Sequence, residues 1–151
     1  MKKWTKALAL GLSAAMLMTV AGCGSNNSSK YDLVKDGTLT VGTNAEFKPF
    51  EYLSNGEVVG VDADVVKAIG EKLGLKVEIQ DMAFDSLDSA LTSGKIDMIA
   101  AGYTMRADRM EKMDFADPYY TAEQTIIVRS DSNYKSKDDL KDKTIGGQTG
   151  K

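Results

Sequence analysis

The chain has 151 residues, of which 42% are hydrophobic and 27% charged, with a formal net charge of −3. This composition is typical of a soluble globular protein large enough to bury a core. The sequence contains no histidine and one cysteine, so it lacks the commonest metal ligand and general base and cannot form an internal disulfide. Hydrolytic and metal-dependent chemistry are therefore disfavoured, and no catalytic residue, metal site or cofactor is predicted.

The amino terminus has the pattern of an export signal. Lys2, Lys3 and Lys6 form a basic region, and the next 14 residues, 7–20, carry no charge. This apolar stretch matches the central region of a signal peptide and is too short to span a bilayer comfortably, which takes about 20 apolar residues. Residues 1–22 are therefore predicted to be a signal peptide.

The residues Val20-Ala21-Gly22-Cys23 resemble a bacterial lipobox, in which the cysteine is acylated before cleavage. Acylation of Cys23 would anchor the exported protein to the outer face of the bacterial cell membrane, or to its periplasmic face. Residues 23–37 then form a lipidated tether, because residues 24–30 are polar and carry too little apolar surface to fold. The alternative is an ordinary cleavage site that happens to precede a cysteine.

The charge of the remaining chain argues against a nucleic-acid partner. Residues 1–22 contain three lysines and no acid, so the rest has 16 basic and 22 acidic residues and a net charge of −6. A negative chain without a basic stripe is repelled by phosphate backbones. A small-molecule ligand is the better expectation.

Strand-like and helix-like patterns alternate from residue 38 onward. The order strand, hairpin, helix, strand, helix, strand predicts an α/β fold with a mixed, mostly parallel sheet and helices on its faces. Three strands are predicted, at Leu39–Val41, at Val77–Ile79 and, as a central buried strand, at 96–101. A turn is predicted at 42–44 and a hairpin turn at Asn55-Gly56. Two helices are predicted: the first has Val65, Ile69 and Leu73 on one face and ends at Gly74, and the second contains Leu87, Ala90 and Leu91 and ends at Gly94.

Further elements are predicted after residue 120. Residues 124–128 are strongly β-forming, and Ser136 with Asp139 resembles a capping box that opens a short helix. Another strand is predicted to begin at Thr144. The sequence thus begins a further α/β unit near its end.

Two segments are expected to line one cleft. Ligands of parallel sheets gather at the carboxyl ends of the strands, and residues 44–50 and 102–109 follow predicted strands there. Asp97 and Asp114 are interpreted as turn or capping residues without chemistry.

Several motifs in register resemble one family, the family 3 extracytoplasmic solute-binding proteins, which are polar amino acid-binding proteins of ABC importers. The resemblance runs from about residue 37 to the end and departs from the family pattern at Val61, Ala63 and Ser86. The motifs are Gly42–Tyr52, Gly60–Val65, Phe84–Leu87, Gly94–Asp97, Ala101–Thr104 followed by Arg109, and Asp117–Tyr120.

The resemblance implies a periplasmic-binding-protein-like fold of type II. It implies that residues 38–122 form lobe one, and that residues 123–151 form a crossover strand, at Gln124–Val128, and an incomplete beginning of lobe two. The sequence is interpreted as truncated, with most of lobe two missing.

The resemblance also implies an amino acid site. Arg109 would bind the carboxylate with a fork of two hydrogen bonds, and Gly102 and Thr104 would contact the zwitterion, Thr104 also starting a helix. Phe47 and Phe84 would form aromatic walls, whereas Phe50 is expected in the core. The remaining predicted contacts are Ala101 through its backbone, Asn44 and Glu46 near the distal end of the ligand side chain, and Gln148.

The implied function is that of the substrate-binding component of an amino acid ABC transporter. Its partners would be the amino acid, the permease and, through the lipid, the membrane, and the protein is expected to be a monomer. The alternatives are an extracytoplasmic enzyme on the same scaffold, dehydratase-like or fused to a lyase, a sensory module, or a non-functional remnant.

Overall fold

A computed structural model describes residues 30–150 of the chain. The predicted signal peptide and residues 23–29 of the predicted tether, including Cys23, lie outside the described residues. Within the described range, every helix is too short or too polar to cross a bilayer.

A parallel sheet of three strands forms the centre of the domain. Strand β1 (Thr38–Thr43) lies between β5 (Lys76–Asp81) and β6 (Met98–Ile99), and both pairings are parallel. All six residues of β1 are buried. The α/β class and the parallel sheet predicted from sequence are confirmed.

Two details of this sheet differ from the predictions. The central strand is β1 and not the run 96–101, of which only Met98 and Ile99 form a strand. The predicted turn at residues 42–44 is also wrong at its start, because Gly42 is paired with Gln80 on one side and Ile99 on the other. A side chain at Gly42 would come within 2.5 Å of Ile96, so the missing side chain lets the layer above pack closely.

A small antiparallel sheet interrupts the α/β alternation, as predicted. Its strands are β2 (Glu46–Phe47), β3 (Glu51–Ser54) and β4 (Glu57–Val59). Asn55 and Gly56 connect β3 and β4 with φ angles of 52° and 83°. Both residues tolerate positive φ, which the tight turn requires.

Helix α1 (Val61–Leu73) packs on one face of the parallel sheet and ends at Gly74, which has a φ of 71° as the predicted left-handed stop requires. The predicted face is only partly buried: Ile69 packs against the core, whereas Val65 and Leu73 are 37% and 40% exposed. The residues of α1 that are buried are Asp62, Ala63, Val66 and Gly70. A side chain at Gly70 would meet Val77 of β5 at 2.2 Å, so close approach to the sheet selects this face.

The second helix, α2 (Leu87–Thr92), follows a 3₁₀ turn at Phe84–Ser86 and covers the opposite face of the sheet. Two apolar clusters result. Leu39, Val41 and Val66 form the core beneath α1, and Phe84, Leu87 and Ala101 form the core beneath α2. Gly94 follows α2 with a φ of 68°, as expected of a residue that ends a helix.

The carboxylate of Asp97 bonds two distant backbone N–H groups and does not cap a helix, which differs from the turn or capping role expected of it. One carboxylate oxygen accepts from the backbone N–H of Val34 at 2.8 Å, and the other accepts from the N–H of Thr40 at 2.7 Å. Asp97 therefore ties the start of the domain to β1, and it takes no part in a paired-carboxylate site.

The last elements are short. Helix α3 (Ala107–Met110) follows β6, and a 3₁₀ turn at Lys137–Leu140 begins with the predicted capping box of Ser136 and Asp139. Residues 124–128 and 144–146 form no strand, contrary to prediction, and Ile127 is 92% exposed. Neither segment lies beside a partner strand within residues 30–150, and β-forming residues need such a partner to form a ladder.

Candidate functional site

The predicted cleft segments meet at the carboxyl end of the parallel sheet. A side chain on Gly102 would come within 3.0 Å of the ring of Phe47, so the segments after β1 and β6 are in contact. Gly102 has a φ of 51°, which favours glycine, and a larger residue would push against the ring. This confirms that the two segments lie together, and amino acid binding by them stays a prediction.

Arg109 is the most unusual charged residue of this edge. It is only 4% exposed, although arginine is rarely buried without an acidic partner. Its Nη1 donates to the carbonyl oxygen of Thr104 at 2.9 Å, and its Nη2 donates to the carbonyl oxygen of Gly150 at 2.5 Å. No ion pair involves Arg109 among the residues that the structure describes.

Burial lowers the pKa of Arg109 from its ordinary value, and the positive charge of Arg106 lowers it further. The negative charges of Asp88 and Asp108 act in the opposite direction. Arg106, in contrast, is exposed and pairs with Asp108 at 2.7 Å. Of these neighbouring arginines, Arg109 alone presents a buried positive charge that an anion could neutralise.

Aromatic rings surround the guanidinium group. The Cζ atom of Arg109 lies 3.8 Å from the centroid of the Tyr103 ring and 5.7 Å from that of Phe84. Phe84 is 4% exposed and packs against Tyr103 with ring centroids 5.4 Å apart. Tyr103 was missed by the sequence reasoning, although its place between Gly102 and Thr104 was a usable signal.

The glycine of the site is held by a carboxylate that the sequence reasoning also missed. Asp62, at the start of α1, is 2% exposed and accepts a hydrogen bond from the N–H of Gly102 at 2.7 Å. Its other oxygen accepts from the hydroxyl of Tyr119 at 2.7 Å. Burial and then the bond to Asp62 raise the pKa of Tyr119 well above its ordinary value, so this hydroxyl stays protonated and donates.

Thr104 departs from its predicted role. Helix α3 begins at Ala107 with Arg106 as its cap, so Thr104 does not start the helix. Its carbonyl oxygen accepts from Arg109, and the residue as a whole is exposed. Ala101, which was expected to contribute only its backbone, is completely buried.

Asn44 and Gln148 come together although 104 positions separate them. The side-chain nitrogen of Gln148 donates to the side-chain oxygen of Asn44 at 2.7 Å, and Asn44 donates to the carbonyl oxygen of Met82 at 3.1 Å. Asn44 thus connects the end of β1 to residues 147–150. Its amide has partners within the protein and lines the cleft described below, and its contact with the distal end of a ligand stays a prediction.

Phe47 presents the predicted wall more openly than Phe84 does. Its side chain is 38% exposed and stacks on Phe50 with centroids 5.4 Å apart. Phe50, predicted in the core, is half-buried and also contacts Tyr120 edge-on at 4.9 Å.

A cleft of about 420 Å³ opens beside these residues. Its lining contains three carboxylates and no lysine or arginine: Asn44, Glu46, Asp81, Met82, Ala83, Phe84, Asp85, Gln148 and Thr149. Within residues 30–150 no cluster of three or more acidic or cysteine side chains is arranged to hold a metal ion. The cleft therefore has an anionic lining, and none of residues 102–109 belongs to it, contrary to the prediction that both segments line one cleft. Arg109 approaches this lining at Phe84, with its Cζ atom 5.7 Å from the ring centroid.

Comparison with known proteins gives consistent results. The profile of the bacterial extracellular solute-binding proteins, family 3, matches residues 39–147. The Arginine-binding extracellular protein ArtP of Bacillus subtilis (strain 168) is 41% identical over 150 residues, which is 99% of this chain and 57% of ArtP. The chain spans about half the length of the curated relatives it matches.

Solved structures of arginine-bound proteins from T. maritima share the fold. The truncated ArgBP superposes with a TM-score of 0.65 and is 44% identical, covering 69% of this chain and 50% of that one. The isolated domain 1 of the same protein, also arginine-bound, gives a TM-score of 0.55 at 44% identity and covers 56% of this chain and 68% of that one. The periplasmic-binding-protein-like fold predicted from sequence is confirmed, and the chain belongs to the family 3 bacterial extracellular solute-binding proteins.

Proposed function

We propose that this chain is part of an extracytoplasmic binding protein that captures an amino acid by its carboxylate and delivers it to an ABC transporter permease. One observation carries the proposal: Arg109 is buried at the carboxyl end of the sheet and forms no ion pair within residues 30–150. A buried positive charge is costly unless an anion neutralises it. A ligand carboxylate supplies that anion.

The geometry around Arg109 suits a carboxylate better than a point anion. A guanidinium group has five donors in one plane, and a carboxylate accepts two of them in parallel. Two donors reach the carbonyl oxygens of Thr104 and Gly150. The ligand would use the remaining donors or displace the contact with Gly150.

The lining of the cleft favours a cationic side chain on the ligand. Glu46, Asp81 and Asp85 line the cleft together with the aromatic residue Phe84. Carboxylates attract a cation, and an aromatic face adds attraction of about 0.5–2 kcal/mol. Several relatives are named for arginine, which agrees with this preference.

The rest of the binding site is assigned to a second lobe. The chain covers about half of its relatives, and we propose residues 38–122 as lobe one and 123–151 as the crossover and the start of lobe two. Closure of lobe two would cover the ligand and supply an acidic partner for its ammonium group. No covalent step is required, so the protein is proposed to be a receptor and not an enzyme. It is also proposed to act as a monomer.

Thermal unfolding with a panel of ligands tests the proposal. Millimolar L-arginine or L-lysine is expected to raise the melting temperature, because a ligand that binds only the folded state stabilises it. L-Glutamate is expected to raise the melting temperature less than L-arginine does. Agmatine, which is arginine without its carboxylate, is the matched control and should give no shift. A shift by agmatine as large as that by arginine would contradict the role given to Arg109.

The membrane anchor is a separate proposal that rests on the sequence motif before Cys23. Mass spectrometry of membrane-extracted protein is expected to find lipid on a new amino terminus at Cys23, and Cys23→Ser should release the protein into the soluble fraction. A mature product that begins elsewhere and carries no lipid would contradict it.

A further inference from the structure

The ring of Tyr103 lies directly under the charged group of Arg109. The Cζ atom of the arginine is 3.8 Å from the ring centroid, which is contact distance, and the tyrosine hydroxyl donates a hydrogen bond to Asp88 on α2. We propose that Tyr103 is a positioning residue, whose ring fixes the plane of the Arg109 guanidinium. The inference rests on the proposed carboxylate-binding role of Arg109.

Fixing the plane matters because all five donors of a guanidinium lie in it. A flexible arginine side chain can rotate this plane about its long axis, whereas contact with an aromatic face restricts that rotation. The two carbonyl contacts hold one edge of the group. The Tyr103 ring contacts its face, so the unused donors are held in one fixed plane and lose less entropy when a carboxylate binds.

The arrangement also places a negative charge where it does not occupy the arginine donors. Asp88 stabilises the positive charge of Arg109 through space but bonds to the hydroxyl of Tyr103. A direct salt bridge would use the donors that a ligand needs. The ring thus lets the domain stabilise a buried cation while its donors stay available.

Tyr103 also packs in the core beneath α2, and this role must be separated from positioning. Its ring stands 5.4 Å from that of Phe84 and 6.2 Å from that of Phe115. Phe115→Leu removes a ring neighbour of Tyr103 and is the matched packing control. Tyr103→Phe keeps the ring and removes only the bond to Asp88, whereas Tyr103→Leu removes the ring.

The deciding measurement is the nuclear magnetic resonance of the Arg109 guanidinium protons, assigned by their loss in Arg109→Lys. A fixed guanidinium plane should give separate Nη proton resonances, and these are expected to average in Tyr103→Leu and to stay separate in Tyr103→Phe and Phe115→Leu. L-Arginine affinity is expected to fall roughly 3- to 30-fold in Tyr103→Leu and less than about 3-fold in the other two variants. Near-normal affinity in Tyr103→Phe beside weak affinity in Tyr103→Leu would show that the ring, and not the hydroxyl, positions Arg109.

The positioning role is overturned if the Arg109 resonances are the same in Tyr103→Leu and the unmodified protein, or if Phe115→Leu moves them equally. If Tyr103→Leu does not fold, the nuclear Overhauser contact between Arg109 and Tyr103 in the unmodified protein decides, and its absence overturns the inference. Expected resonance changes in a protein that binds no amino acid would support the positioning of Arg109 and overturn the proposed function.

Discussion

Replacing Arg109 by lysine is expected to weaken amino acid binding by roughly thirty-fold to several thousand-fold in the protein extended to the length of its relatives. Loss of a bidentate, desolvated charge pair costs on the order of 2–5 kcal/mol. Lysine keeps the charge but cannot present two parallel donors to a carboxylate. In the 151-residue chain the same direction and a smaller loss are expected, since a ligand that one lobe covers remains partly in water. Calorimetry with L-arginine measures the affinity loss in the extended protein and in the 151-residue chain.

Arg106→Lys is the matched control for this prediction. Arg106 stands three positions away, is exposed, and pairs with Asp108 on the surface. Water screens exposed ion pairs and they contribute little, so this variant should bind almost normally. Similar losses in the two variants would mean that the general positive charge of the segment matters and that Arg109 has no special place in the site.

Replacing Gly60 by alanine is expected to destabilise the fold by on the order of 3–5 kcal/mol. Gly60 has a φ of +126°, and an added Cβ would stand 2.3 Å from the carbonyl oxygen of Phe50 and 2.7 Å from that of Pro49. These carbonyl oxygens accept hydrogen bonds from the first N–H groups of α1. The Pro49 oxygen accepts from Val61 at 3.2 Å, and the Phe50 oxygen accepts from Asp62 at 2.9 Å. Backbone strain and overpacking each cost about 1–3 kcal/mol, and here they act together.

Gly74→Ala provides the control, because Gly74 also has positive φ but has open space around its Cβ position. Only the conformational cost of about 1–2 kcal/mol is expected there. Urea unfolding of both variants gives the comparison. Equal losses of unfolding free energy in the two variants would show that the contact with residues 49 and 50 does not restrict the residue at position 60.

Sequence patterns predicted the fold well where a local rule determines the structure. The hairpin turn at Asn55-Gly56, the helix stop at Gly74 and the capping box at Ser136 follow from backbone preferences of single residues, and all three are present. The buried face of α1 and the strand expected at 124–128 depend on what packs or pairs with them. Periodicity alone does not contain that information, so the predicted face of α1 was right only at Ile69 and the predicted strand was wrong.

In the candidate site, too, local sequence rules predicted some features, and others depended on packing between elements. The meeting of the segments at Phe47 and Gly102 followed from the rule that parallel strands end at one edge. The supporting residues Asp62 and Tyr103 stand inside the motifs Gly60–Val65 and Ala101–Thr104, but the motifs alone do not show what these two side chains contact. Only the folded chain shows that Asp62 reaches the N–H of Gly102 and that Tyr103 lies beneath Arg109.

The pairing of Arg109 with a ligand carboxylate is tested most directly by calorimetry of L-arginine and L-argininamide on the unmodified protein and on Arg109→Gln. The amide keeps the side chain and the ammonium group and lacks only the negative charge. We expect the unmodified protein to prefer L-arginine strongly, and we expect this preference to fall by about tenfold or more in Arg109→Gln, which corresponds to a coupling of at least about 1.4 kcal/mol. An equal preference in both proteins would place the ligand carboxylate elsewhere and contradict the proposed site.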